Sequence, residues 1–177
     1  MTRVTDFINQ SLKVLHLAPE QVFYHRFKKF HHWDYTTADL CSPLADIKAD
    51  ICDLPFENNT YDLILCNHVL EHIPEDQKAM SELYRVLKKG GTLIAQVPLG
   101  KQRLKTFEDE RIKGRKARAK AFGQYDHVRI YGKDYYSRLE NVGFKTKAFD
   151  LISKLKPAEI ISFGLQKEKI PVAVKNL

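Results

Sequence analysis

The sequence predicts an α/β fold organised on a parallel sheet, and three features of residues 46–98 predict it. Tyr61 to Asn67 (YDLILCN) is a short, nearly continuous apolar run, as in a strand buried on both faces. A helix follows. Pro74 suits its first turn, where a fixed φ costs no hydrogen bond and the acids Glu75 and Asp76 meet the positive dipole end. Ala79, Met80, Leu83, Val86 and Leu87 form one apolar stripe, and Lys88, Lys89 and Gly90 read as the helix stop. Thr92 to Val97 is then a second strand, which completes a βαβ unit with a right-handed crossover.

The other elements follow in chain order. Lys13 to Leu17 (KVLHL) is a first strand, and Ala18-Pro19-Glu20 turns it into a helix over about Gln21 to Phe30. Tyr35 to Leu40 (YTTADL) is a second strand ending in an acid. The spacing from Asp39 to Asp50 is too short for a helix plus a strand, so this crossover is clipped to a turn around Ser42-Pro43, with Ile47 to Ile51 as strand three. Leu99 to Tyr131 is too long for a simple loop and predicts a helix over about Phe107 to Phe122. A helix from Lys133 to Asn141 ends at Gly143, and Phe144 to Phe149 is the next strand. Ile170 to Lys175 closes the series, with Pro171 near its start where a missing N–H is tolerated.

Length and composition predict one domain over residues 1–177. Hydrophobic residues make up 44% and charged residues 29%, the balance of a globular protein. No apolar run approaches a membrane span and the N-terminus has no signal-peptide core, which predicts a cytoplasmic protein. Cys41, Cys52 and Cys66 lack C-x-x-C spacing and lie in or beside core elements, so buried thiols are expected. The net charge of +7 is concentrated: residues 101–120 hold nine Lys and Arg against three Asp and Glu. Such a cluster solvates a surface helix, meets an anionic small molecule or docks a nucleic-acid backbone. The nucleic-acid option ranks below the others because the interleaved aromatics of single-strand binders are missing.

The register Asp50-Ile51-Cys52-Asp53-Leu54-Pro55-Phe56, Tyr61-Asp62-Leu63-Ile64, His68-Val69-Leu70-Glu71-His72 and Leu87-Lys88-Lys89-Gly90-Gly91 resembles the middle of a class I S-adenosylmethionine-dependent methyltransferase. The resemblance implies a Rossmann-like, doubly wound sheet with helices on both faces and an antiparallel last strand. It implies S-adenosyl-L-methionine as cofactor and residues 99–131 as a basic lid. HLAPE resembles a variant subgroup in which A-P-E replaces the usual Gly-rich turn, so Ala18, Pro19 and Glu20 are implied at the cofactor. Asp39, with Leu40 beside it, takes the position whose carboxylate accepts the ribose hydroxyls. Asp50 and the Ile51 N–H take the adenine position, with Asp53 a competing acid that could equally cap a turn. Asn67 and His68 stand nearest the methionine end.

Methyl transfer from a sulfonium needs alignment above all, and a base only when the nucleophile holds a proton. His127 beside Asp126, and His68 just past the buried strand, are the candidate bases; a structural hydrogen bond is the competing role for His127. Gln124, Tyr125 and Arg129, in a GQYDHVR run similar to the same subgroup, are implied at the acceptor. His68 to His72 also matches H-x-x-E-H, a zinc-protease pattern. The run reads as a loop between a strand and Pro74, with no third ligand in view, so no metal is expected. The expected activity is methyl transfer to a small-molecule acceptor, with the basic lid favouring an anionic one. The competing expectation is a non-catalytic module of the same fold that grips an anionic partner, nucleic acid or metabolite, through that lid.

Overall fold

The computed structural model describes residues 6–100, 102–165 and 168–177. Along these the elements are β1 (Leu12–Leu17), α1 (Gln21–Phe27), β2 (Trp33–Asp39), β3 (Ile47–Lys48), β4 (Tyr61–Cys66), α2 (Asp76–Val86), β5 (Leu87–Ile94), β6 (Phe107–Glu108), α3 (Arg115–Phe122), β7 (Arg129–Ile130), α4 (Tyr135–Asn141), β8 (Phe144–Phe149), α5 (Pro157–Ser162) and β9 (Ile170–Lys175). Seven strands form one sheet in the order β3-β2-β1-β4-β5-β9-β8. Strands β1 to β5 pair in parallel, and β9 runs antiparallel between β5 and β8. The fold is the Rossmann-like, doubly wound architecture, with the antiparallel strand inserted next to the edge.

Alternation along the strands divides the core between the two faces. Val14, Leu63, Leu65 and Ile94 pack with Phe27 and Trp33 on the α1 face. Leu15, Leu17, Ile64 and Cys66 pack with Ala79, Met80 and Leu83 of α2 and Leu139 of α4 on the other. β4 is central, and Leu63 to Cys66 are all buried.

Five expectations about local structure are corrected. The α2 helix ends at Val86, and Leu87 is already extended and paired with Tyr61, so it belongs to the strand rather than to the helix stripe. Lys88 to Gly91 form an irregularity inside β5: Tyr61 faces Leu87 but Leu63 faces Thr92, and Gly90 supplies a φ of 75° there. Phe107 and Glu108 pair with Ile130 and Arg129 in a short hairpin, and the helix of this segment begins only at Arg115. The third strand stops at Lys48, after which Asp50 turns back to bridge Asp53. Finally, Cys41 is exposed, while Cys52 and Cys66 are the buried thiols expected. No helix among the described residues is long and apolar enough to cross a membrane.

Candidate cofactor and acceptor site

The carboxyl ends of β1, β2 and β4 meet at one edge of the sheet, where open α/β sheets take ligands. Ala18 follows β1 with φ at 48°, the left-handed region that glycine favours. Its N–H donates to the Ala38 carbonyl at 3.0 Å. The turn therefore keeps a glycine-like backbone while carrying the smallest Cβ. Ala18, Asp39, Leu40, Asp50 and Ile51 line a common hollow of about 90 Å3 with Val69 and Ile73 closing its floor.

Asp39 fixes its own loop: Oδ1 accepts the N–H groups of Cys41 and Ser42 at 2.7 and 2.6 Å. Oδ2 accepts no hydrogen bond among the described residues, which leaves an open acceptor at the strand end. Asp50 likewise uses Oδ1 for the Cys52 N–H at 2.8 Å. Pro19 is buried in the turn.

A polar chain that sequence reasoning missed runs beneath this hollow. His16, fully buried in β1, shares a proton with the Tyr35 hydroxyl at 2.7 Å through Nδ1 and with Glu20 Oε2 at 2.6 Å through Nε2. Asn67 Nδ2 reaches Glu20 Oε1 at 3.4 Å, and Asn67 Oδ1 accepts the Gln96 N–H at 3.4 Å. Burial pushes the Glu20 carboxyl up, but the His16 hydrogen bond, its own backbone and Asn67 outweigh this and hold it below its ordinary value. The signal was present: a histidine inside the apolar run KVLHL needs a partner, and Glu20 stands four residues on.

Glu20, Asn67, His68 and Gln96 form the polar end of a second, larger cleft of about 530 Å3. Its walls are apolar, with Phe7, Phe23, Ile94, Phe149, Leu151 and Val172 facing in. His68 is exposed at its rim, with φ at 54° and its N–H bonded to the Gln96 carbonyl at 2.7 Å. Its Nδ1 lies 3.3 Å from Oε1 of Glu71, whose hydrogen bond raises the imidazole above its ordinary value.

The remaining sequence-predicted residues lie in the 99–131 segment. His127 is buried, its Nδ1 3.3 Å from the Phe122 carbonyl. Asp126 does not pair with its neighbour His127; its Oδ2 stands 3.6 Å from Nδ1 of His72. Gln124 and Tyr125 are exposed, and the Arg115 guanidinium sits 3.9 Å over the Tyr125 ring. Arg129 is turned inward and 3% exposed. It donates to the carbonyls of Leu70 (3.0 Å), Ile73 and Pro74 (2.8 Å) and to Glu108 at 2.8 Å.

Residues 9–95 match the family model of the methyltransferase domain. An uncharacterized protein of Methanocaldococcus jannaschii is 51% identical over 51 residues, 29% of this chain and 22% of that protein. The demethylmenaquinone methyltransferase of Lactiplantibacillus plantarum is 44% identical over 41 residues, 23% of this chain and 17% of that enzyme. The chain thus spans about a fifth of the length of the curated relatives it matches. In fold, the chain is similar to the Burkholderia thailandensis 1,6-didemethyltoxoflavin-N1-methyltransferase, solved with 1,6-didemethyltoxoflavin and S-adenosylhomocysteine. The TM-score is 0.65 at 12% identity, over 99% of this chain and 76% of that one.

Proposed function

We propose that the chain is an S-adenosylmethionine-dependent methyltransferase, a reading supported by the methyltransferase-domain match over residues 9–95, and that it transfers the methyl group of this cofactor to a small-molecule acceptor with a flat apolar body and a polar edge. The observation that carries the reading is the 530 Å3 apolar cleft whose polar end, Glu20, Asn67 and His68, follows directly on the strand ends that line the cofactor hollow. The quinone-type acceptor in the name of the Lactiplantibacillus relative has this chemistry.

The residues present fit the cofactor. Asp39 offers Oδ2 to the ribose hydroxyls, and Asp50 with the Ile51 N–H meets the adenine edge. Ala18 and Pro19 admit close approach of the backbone. Glu20, kept ionised by His16, places negative charge where the cofactor is cationic. When bound, the cofactor supplies an electrophilic methyl on sulfur.

The protein contributes position and exclusion of water. The aromatic walls of the cleft, Phe7, Phe23 and Phe149, hold the acceptor body. Asn67 and His68 face its polar edge. A proton on His68 Nδ1, directed at Glu71, leaves Nε2 free to take a proton from the nucleophile. His127 and Asp126 stand near Glu71 and brace the 99–131 segment, none of whose described residues lines the 90 or the 530 Å3 cavity. Arg129 serves that brace; Gln124 and Tyr125 are the residues of this segment left to meet the acceptor from outside.

Calorimetric titration with S-adenosylmethionine and S-adenosylhomocysteine tests the cofactor half. Saturable binding is expected, weakened about tenfold to a hundredfold in Asp39→Ala, the range of a hydrogen bond to a charged acceptor. Absence of binding to folded wild-type protein overturns the reading. Transfer of radiolabelled methyl to a panel of naphthols and hydroquinones against sugar phosphates then separates apolar from anionic acceptors.

A further inference from the structure

Glu71 is 1% exposed, and apart from its 3.3 Å contact with His68 neither carboxylate oxygen has a hydrogen-bond partner among the described residues. A buried carboxylate left in this state is costly, and proteins resolve it with a cation or a proton. Two imidazoles stand against it. One donor atom each from Glu71, His72 and His127 lie within 4.8 Å of one another. The His72 and His127 rings meet edge to face at 4.7 Å between centroids.

The His127 ring is oriented by a hydrogen bond from behind, as ligating histidines usually are, and the His72 ring has a carboxylate at ion-pair distance. The Phe122 carbonyl lies 3.3 Å from His127 Nδ1, and Asp126 Oδ2 lies 3.6 Å from His72 Nδ1. With protons on these Nδ1 atoms, each Nε2 presents a lone pair. A cavity of about 200 Å3 lined by Glu71, His127, Leu99 and also Arg129, whose guanidinium is engaged by the carbonyls of Leu70, Ile73 and Pro74 and by Glu108, adjoins the group.

We propose that Glu71, His72 and His127 bind one divalent first-row transition ion of the zinc class, with a fourth coordination position open to this cavity. Two imidazoles and a carboxylate are a zinc-type donor set, and bonds of about 2.0–2.2 Å around a tetrahedral ion set ligands about 3.4 Å apart. The group therefore closes by up to about 1.4 Å on loading, a shift that rotation of the two rings supplies. The sequence pattern H-x-x-E-H contributes only its last two members. Leu70 to His72 form a single 3-10 turn, so His68 falls on the far side of Glu71, and the third ligand comes from the 99–131 segment. The ion would fasten that segment to the loop after β4, beside the Val128 N–H bond to the Glu71 carbonyl at 2.9 Å.

The experiment titrates the untagged, metal-stripped full chain with Co2+ and then Zn2+, reading the visible cobalt bands and their displacement. One equivalent of Co2+ with the intense bands of a four-coordinate site is expected, displaced by Zn2+. Affinity should fall at least tenfold in His127→Ala and in the near-isosteric Glu71→Gln, each checked for folding by circular dichroism. A His31→Ala/His32→Ala variant removes an exposed histidine pair and should bind as wild type. The proposal is overturned if no equivalent binds, if Glu71→Gln and His127→Ala bind as wild type, or if binding disappears with His31 and His32. The readout is the metal alone, so it stands or falls separately from methyl transfer.

Discussion

Arg85 shows how single residues hold the acidic turn that follows β3. Its guanidinium donates to the carbonyls of Leu54 and Phe56 at 2.8 and 2.7 Å and to Asn58 Oδ1 at 2.9 Å. Glu82, one helical turn back on α2, accepts from Arg85 at 2.7 Å and from the Leu54 N–H at 2.8 Å. The Arg85 hydrogen bond holds the Glu82 carboxyl below its ordinary value of 4.5, against the opposing effect of burial. A depressed carboxyl stabilises the fold above its unfolded pKa, and the contribution is lost as pH falls through the folded value. Urea midpoints should therefore drop as pH is lowered from about 6 to 3. Arg85→Met should lose about 2 kcal/mol at neutral pH and show a shallower acid slope; an unchanged slope would remove Glu82 from the account. At this scale the sequence was informative where chemistry is local. Asp39 at the end of β2 was legible because period and turn residues are read over a few positions, whereas Asp50 lies in the turn beyond β3. Glu71 was opaque, because its burial and missing partners depend on residues that arrive from elsewhere.

Among the elements, the hairpin of β6 and β7 decides how the 99–131 segment lies. Gly132 follows β7, and a Cβ there would come within 2.5 Å of the Lys105 carbonyl carbon, with two more main-chain atoms of Lys105 under 3 Å. Main chain cannot step aside as a flexible side chain does. Gly132→Ala should therefore displace residues 103–106 and raise the rate of limited proteolysis in the segment, with the far-ultraviolet dichroism of the sheet retained; wild-type proteolysis would show that the approach is not required. The sequence predicted a helix from Phe107 here, whereas Phe107 and Glu108 are strand. Two-residue strands carry no period, and their pairing with Arg129 and Ile130 spans more than twenty residues. The longer strands and α2 were legible since their apolar periods run over whole elements.

For the molecule as a whole, Asp76 joins three parts that are distant in sequence. It is 2% exposed and accepts from the Tyr131 hydroxyl at 2.7 Å and from Arg138 at 2.6 and 2.9 Å. The 99–131 segment, α2 and α4 therefore share one buried carboxylate. Asp76→Ala leaves the Arg138 charge without its main partner and should cost about 3–5 kcal/mol in urea unfolding, while Asp76→Asn should cost less; a loss under about 1 kcal/mol would mean that the parts are held by packing alone. The sequence by itself determined the parallel sheet and the clipped second crossover, because these follow from apolar period and turn chemistry, while the antiparallel last strand was implied only by the resemblance that the register of short motifs carries. Only the tertiary structure decided that His16 and Glu20 pair across the turn after β1, that Arg129 points inward, that an apolar cleft opens beside Asn67, and that His127 meets Glu71 and His72. Those outcomes rest on burial and on contacts between residues far apart in the chain, and neither has a local signature in sequence.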